Sequence, residues 1–530
     1  MNQMKKLEDL AFNNTYVKLG EAYFSRVLPT PMVKPQLVAF NPDAAKLIGL
    51  DPSESTRPDF LEYFSGQCLF PGSDPVAMVY SGHQFGVRVP RLGDGRAILL
   101  GEVVGENEQG KPTTWDLQLK GSGQTPYSRF GDGRAVLRSS IREYLCGEAM
   151  HALGIPTTRT LCIVGSDEQV FREEVETRAM ITRIAESHVR FGSFEYFFQR
   201  DSQNNSQNRE VQRLADYVIR EHFPEIEAAF EPGTERYGAW LTEVTMRTAR
   251  LIAKWQAVGF SHGVMNTDNM SILALTLDYG PYGFMEEFDS AFVCNHSDEN
   301  GRYAFLEQPG IGLWNLNVLA HSLSGIMSRD HLVAALKTYE PTFHDEYLNL
   351  FRAKLGLVQK HDGDAGLISE LLGLMEQTHV DYTNFFRALG KLKIESDDAN
   401  DKIFHDFFGL PRQDWRQWAE LYRSRLRTEI MRDGSIKDQN AGQNTDQNSS
   451  RYSEFDAARE KRMNGANPKF VLRNHLAQRA IDAAVKYRDY TEIEKLLHVL
   501  RTPFSEHAGA ESYALPPTGD DKNIQVSCSS

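Results

Sequence analysis

The sequence predicts an α+β fold. The order of patterns carries the prediction. Residues 76–200 read mainly as strands and turns with one helix among them, and the chain beyond 310 reads mainly as helices. Length adds that 530 residues exceed one small core, so two or three lobes are expected. Many α+β enzymes share this order.

Residues 1–75 mix short apolar segments with prolines, show no clear period and are read as an N-terminal extension. After the turn Gly93-Asp94-Gly95, Arg96 to Val104 has β character. In Thr114 to Lys120, Trp115, Leu117 and Leu119 alternate with polar residues, the pattern of a half-buried strand ending in a lysine. From about Ser140, Ile141, Tyr144, Leu145, Ala149 and Leu153 recur at helical spacing until Gly154 and Pro156. Ser140-Ile141-Arg142-Glu143 has the form of a capping box, with Glu143 at N3. Strands are expected at Leu161–Val164 and Ala179–Ile184, with a turn at Gly165-Ser166-Asp167. Asp201 to Arg209 is a polar insertion expected to form a mobile loop, and a long helix is expected from about Tyr237 to Val258. The Gln/Asn-rich stretch at about 434–451 predicts a disordered linker within a helical region 331–500, followed by a tail 501–530.

A net charge of -14 argues against a general nucleic-acid or membrane-surface binder, because phosphate neutralisation needs a basic face. No apolar run approaches the ~18 residues that span a bilayer, and the N-terminus lacks a signal-peptide core. A cytoplasmic protein is expected. The five cysteines form no CxxC pair, which speaks against a zinc site, while Cys528 in a polar tail is a plausible redox thiol.

The chemistry concentrates in His262-Gly263-Val264-Met265-Asn266-Thr267-Asp268-Asn269 and the following Asp278-Tyr279-Gly280. A protein kinase has H-R-D-x-x-x-x-N and then D-F-G. On that template His262, Asn269 and Asp278 keep their places, and the amide and carboxylate oxygens of Asn269 and Asp278 suit a hard cation such as Mg²⁺. Val264 stands where the catalytic aspartate would be and cannot accept a proton; a carboxylate, Asp268, stands beside Asn269 instead. Either motif alone is ordinary turn chemistry. Both together, after Lys120 and Glu143 in the order of a kinase ion pair, favour a protein-kinase-like bilobal fold that binds ATP. The division is then 76–200 as N-lobe and 201–330 as C-lobe core. Gly93-Asp94-Gly95-Arg96 and Gly131-Asp132-Gly133-Arg134 are turns whose amides could cradle an anion. Arg183 and Arg190 could grip a polyphosphate end.

Longer strings resemble the selenoprotein O family in its bacterial cysteine-containing form. They include Tyr80-Ser81-Gly82-His83-Gln84-Phe85-Gly86, Thr125 to Ser140, His188-Val189-Arg190-Phe191-Gly192 and Asn474 to Ala480, and they spread over nearly the whole chain. The resemblance implies a pseudokinase that adenylylates proteins and binds ATP flipped. It implies nucleotide contacts from Gly93, Gly95, Arg96, Lys120, Asp132, Gly133, Arg183, Arg190 and Asp278. It further implies Asn269 and Asp278 on Mg²⁺ (or Mn²⁺) and Asp268 as general base. Protein hydroxyls of Ser, Thr or Tyr would be the acceptors, and Cys294 and Cys528 candidate partners in a regulatory disulfide. Ordinary phosphotransfer and a non-catalytic ATP-binding scaffold are the alternatives.

Overall fold

Strand-forming stretches from both sides of residue 75 meet in one nine-stranded antiparallel sheet. The computed structural model describes residues 4–204, 206–395, 398–432 and 445–526. The strands are β1 (Phe12–Asn13), β2 (Phe24–Arg26), β3 (Gln36–Phe40), β4 (Val76–Met78), β7 (Ala97–Glu106), β8 (Pro112–Lys120), β9 (Ala135–Val136), β10 (Arg159–Phe171) and β11 (Val175–Ala185). Their order is β2-β4-β7-β8-β11-β10-β3, with β1 on β7 and β9 on β11. Between β4 and β7 a separate hairpin forms from β5 (Gly82–Gln84) and β6 (Val87–Val89).

Both faces of β8 are buried, whereas its alternation predicted one. Trp115, Leu117 and Leu119 enter a core with Leu100, Val103, Met180 and Ile184 and with residues of the helices α1 (Pro42–Leu47) and α2 (Pro58–Phe64). The polar face, Asp116, Gln118 and Lys120, is buried as well, because the rest of the protein folds over it.

Helix α3 (Leu137–Ala152) starts three residues before the expected Ser140. The Ser140 hydroxyl donates to Val136 O (2.9 Å) inside the first turn, so the expected capping box does not form and Glu143 is available for other partners. Strand β10 runs through the expected turn at Gly165–Asp167; the register shift between Gly165 and Gln169 absorbs it as an irregularity. The polar insertion is largely helix: residues 201–204 end one helix, 206–208 form a short turn and Arg209 opens the next. Helix α4 (Phe191–Asn204) contains Asp201, whose buried carboxylate accepts the Glu210 and Val211 N–H groups (3.0 and 3.1 Å) and so caps α5 (Arg209–His222).

After α6 (Pro224–Ala229), α7 (Thr234–Val258) ends at Gly259, whose φ of +70° suits glycine. The two-stranded pair β12 (Phe260–Ser261) and β13 (Gly283–Phe284) closes the loop that carries residues 262–282. The helices α8 (Gln308–Ser322) to α17 (Thr491–Leu500) complete the described chain. Of the stretch expected to be disordered, residues 434–444 lie outside the described residues, whereas 445–451 begin the helix Thr445–Ala466. Cys528 also lies outside the described residues. The fold is thus mixed α and β. Among the described residues no helix is long and apolar enough to cross a membrane.

Candidate active site

A cleft of about 590 Å³ opens between the sheet and the 262–282 loop. Gly93, Gly95, Arg96, Lys120, Asp132, Gly133, Arg183, Arg190, Asp268, Asn269 and Asp278 all line it. Val264 lines it too, where a kinase would place its aspartate.

Strands β8 and β11 are neighbours, and Arg183 pairs in register with Gln118, so Lys120 and Arg183 leave the same sheet face. Glu143 on α3 meets both: it accepts from Lys120 Nζ at 2.5 Å and from the Arg183 guanidinium through both its oxygens. Burial alone would raise the Glu143 carboxyl. Arg183 and Lys120 overcome that and hold it down at about 2. Burial lowers the Lys120 ammonium to about 8, against the pull of Glu143. The chain of charges continues to Asp278, which accepts from Arg183 Nη2 (2.7 Å) and Arg190 Nη1 (2.6 Å). Burial would raise Asp278, but Arg183, Arg190 and Lys120 keep it well below the usual carboxylate range. Its backbone is left-handed, φ +57°, a conformation that Asp tolerates and that turns the carboxylate toward the two arginines. Arg190 is fixed in turn by Asp268 O (2.7 Å) and by the Tyr80 ring, 4.6 Å from its guanidinium carbon.

Asp268 lies in the short 3₁₀ turn Thr267–Asn269 and is buried under the β5–β6 hairpin. Its Oδ1 has no hydrogen-bond partner. Burial raises its carboxyl to about 7, Arg190 opposing. The approach is so close that a Cβ on Gly82 would sit 2.0 Å from Asp268 Oδ1. The Asn269 amide nitrogen donates to Val264 O (3.0 Å), which leaves its oxygen available to the cleft. A divalent cation fits the donor pair of the Asn269 amide oxygen and the Asp278 carboxylate, which its arginine neighbours keep ionised. Among the described residues no three His, Cys, Asp or Glu groups form a closed cage.

His262 does not face the cleft. It is buried against Trp255, with ring centroids 5.4 Å apart, and its Nε2 lies 3.0 Å from Leu277 O. The Gly turns form one wall. Gly93 (φ +143°) packs on Tyr127, and a Cβ on Gly133 (φ +69°) would meet Gly123 O at 2.0 Å. Asp132 is held by Arg172 in a bidentate pair (3.0 and 2.9 Å). The Cys294 thiol is buried, lies 2.8 Å from Pro281 O, and is pushed up to about 12 by burial.

Tyr80, Asp94, Tyr127 and Arg172 also line the cleft and were not singled out as site residues in the sequence. Tyr80 and Tyr127 fall inside the resemblance strings, which was their available signal. Arg172 had none, because only the β10–β11 turn brings it to Asp132.

The family model described as "Protein adenylyltransferase SelO" matches residues 6–501. Relatives named "Protein nucleotidyltransferase YdiU" include one from Myxococcus xanthus, 51% identical, one from Thiobacillus denitrificans, 48%, and one from Pseudomonas fluorescens, 47%. Each alignment covers 99% of this chain and 100% of the relative.

Proposed function

The chain belongs to the SelO family of protein adenylyltransferases, and from that premise we propose that it transfers AMP from ATP to a Ser, Thr or Tyr hydroxyl of a protein, releasing pyrophosphate. The observation that carries the reading is Asp268. The residue lines the cleft together with Lys120, Arg183 and Arg190, one of its carboxylate oxygens is buried without a partner against Gly82, and Val264 disables the usual kinase position. Transfer of AMP rather than phosphate follows from the family.

In this reading Gly93, Gly95, Arg96, Asp132 and Gly133 bind the nucleotide along the turn wall. Lys120, Arg183 and Arg190 stabilise charge that moves onto the pyrophosphate as it leaves. Asp268 accepts the proton of the acceptor hydroxyl, which attacks the α-phosphorus. Asn269 and Asp278 would hold Mg²⁺ or Mn²⁺, which supplies further neutralisation of the triphosphate. Glu143 positions Lys120 and Arg183 without touching substrate. Residues 76–200 and 201–330 act as the two lobes of a pseudokinase, in a cytoplasmic protein.

Incubation with α-labelled and, separately, γ-labelled ATP tests the reading. Label carried into protein from α-labelled ATP alone is expected. Transfer of γ-label alone would replace adenylylation with phosphotransfer, and no transfer would leave a scaffold. Asp278→Ala should abolish transfer.

The redox part of the reading is a Cys294–Cys528 disulfide. Its support is that the tail pairs alongside Asn295: His296 N donates to Val526 O at 2.9 Å, two residues before Cys528. Peptide mapping after mild oxidation should recover the linked pair; two free thiols would remove the idea.

A further inference from the structure

The β5–β6 hairpin that covers Asp268 turns through Phe85 and Gly86, both at positive φ (+51° and +80°). Such two-residue turns favour Asn-Gly, and a bulky side chain in the left-handed region is disfavoured. Phe85 is held there by two acceptors for its N–H, Asn266 Oδ1 at 3.2 Å and Tyr303 Oη at 3.0 Å. Asn266 also accepts from the Tyr303 hydroxyl at 2.6 Å, so the turn is locked to the loop that bears Asp268. The ring thus kept at the tip is 38% exposed and lines the mouth of the cleft. Its inner face packs on the Tyr303 ring, with centroids 5.3 Å apart.

Arg302 sits directly against Gly86. Its guanidinium carbon lies 4.7 Å from the Trp314 ring centroid and 5.7 Å from that of Tyr303, a stacked geometry that fixes its plane. Its buried Nε has no acceptor among the described residues. The neighbouring carboxylate, Asp298, is occupied by the backbone N–H groups of Arg302 and Tyr303 (3.0 and 2.7 Å). Arg88, on β6 of the same hairpin, is exposed and lacks a carboxylate partner among the described residues. A chain of net charge -14 therefore keeps unneutralised arginines beside the catalytic cleft.

We propose that Phe85, Arg302 and Trp314 form the docking ledge for the acceptor polypeptide, selecting segments with an Asp or Glu close to the modified hydroxyl. The inference rests on the adenylyltransferase reading and names the partner of that site. A pre-oriented guanidinium takes a carboxylate bidentately, and the Phe85 ring gives the backbone beside the hydroxyl an apolar surface over Asp268.

The test uses three synthetic dodecapeptides, each carrying one serine, one threonine and one tyrosine, that differ only in having glutamate, glutamine or lysine at the flanking positions. Transfer from α-labelled ATP is measured for the full chain and its variants, with AMP release in the absence of peptide as the basal reaction. The wild-type chain should favour the glutamate over the lysine peptide by about tenfold in kcat/KM, the size of a well-placed charge pair. Arg302→Glu should invert the preference and leave basal AMP release unchanged, a result that misfolding cannot produce. Phe85→Asn keeps the left-handed turn and removes the ring; it should raise KM for all three peptides and leave KM for ATP alone. Equal use of the peptides by the wild-type chain, or an Arg302→Glu variant that still prefers glutamate, overturns the ledge while leaving adenylylation intact. A wild-type chain that transfers AMP to no peptide and no protein overturns both.

Discussion

Glu143 binds Lys120 and Arg183 at once, and all three are nearly excluded from solvent. Glu143→Ala leaves buried Lys120 without its counter-charge and Arg183 with Asp278 alone, and breaking comparable buried pairs costs about 3–5 kcal/mol. Melting temperature and ATP affinity should therefore fall together, and a variant that melts like the parent would contradict the pairing. A second buried set lies behind the cleft. Glu102 and Asp116 face each other across β7 and β8. Burial raises Asp116 to about 8; burial, with Asp116 beside it, raises Glu102 to about 7. Both folded values lie above the unfolded ones. Their contribution to stability is therefore complete below about pH 4, falls from there at up to about 1.4 kcal/mol per pH unit for each group, and is fully lost once pH has risen past about 7 to 8. Thermal melts from pH 4 to 9 should show that fall up to about pH 8 and its levelling beyond, and Glu102→Gln should flatten it; an unchanged slope would exclude the pair as its source. That Lys120 lines the cleft was legible because it ends an alternating strand, and that Asp268 does was legible because it stands beside Asn269 in the motif segment. The Glu102–Asp116 pair was not. Cross-strand register joins residues 14 apart, and nothing in their local spacing announces it.

At the scale of elements, the β5–β6 hairpin is a lid built on glycine. A Cβ on Gly82 would overlap Asp268 Oδ1 at 2.0 Å and its Cβ at 2.9 Å, so Gly82→Ala must move the proposed base or the hairpin. A displacement of about 1 Å costs on the order of 10²-fold in rate. The expected result is a loss of that size in kcat with a much smaller effect on ATP affinity; a fully active variant would show that the hairpin does not set the position of Asp268. Elements with strong periods, β7, β8, α3 and α7, were legible within a few residues. The errors share a cause. Ser140 and Glu143 satisfied a local capping rule, but Lys120 and Arg183 are stronger partners for a buried carboxylate than one backbone N–H. Asp201 looked like loop polarity, yet its carboxylate caps a helix nine residues on.

Across the whole molecule, the C-terminal part of the chain is structural support for the cleft. Phe470, Val471, Leu472, Leu476 and Ala477 belong to the same core as Ile141, Tyr144 and Leu145 of α3. Arg142, next to Glu143, donates to Tyr282 O (3.1 Å) and to Asn474 Oδ1 (3.3 Å). Arg473, almost fully buried, pairs with Glu286, just after β13, and with both oxygens of Asp381. The 262–282 loop is thus tied through Tyr282 at one point and Glu286 at another to residues nearly 200 positions later. The resemblance strings flagged residues 474–480, but no local pattern said what they touch. Arg473→Ala would strand two carboxylates, one of which, Glu286, burial already raises to about 7 with Arg473 opposing. Loss of the cation pushes Glu286 further up, so it binds a proton near neutrality instead of an arginine. The variant should lose about 3–5 kcal/mol of stability at pH 8. It should lose less at pH 6, where the stranded Glu286 is already protonated and no longer a buried charge. Arg473→Lys, which keeps the charge but not the fork, should recover part of the loss. Denaturation at the two pH values reads the difference directly. A loss independent of pH would mean that Arg473 acts by packing alone, and that the link from the C-terminal segment to the 262–282 loop is steric rather than electrostatic.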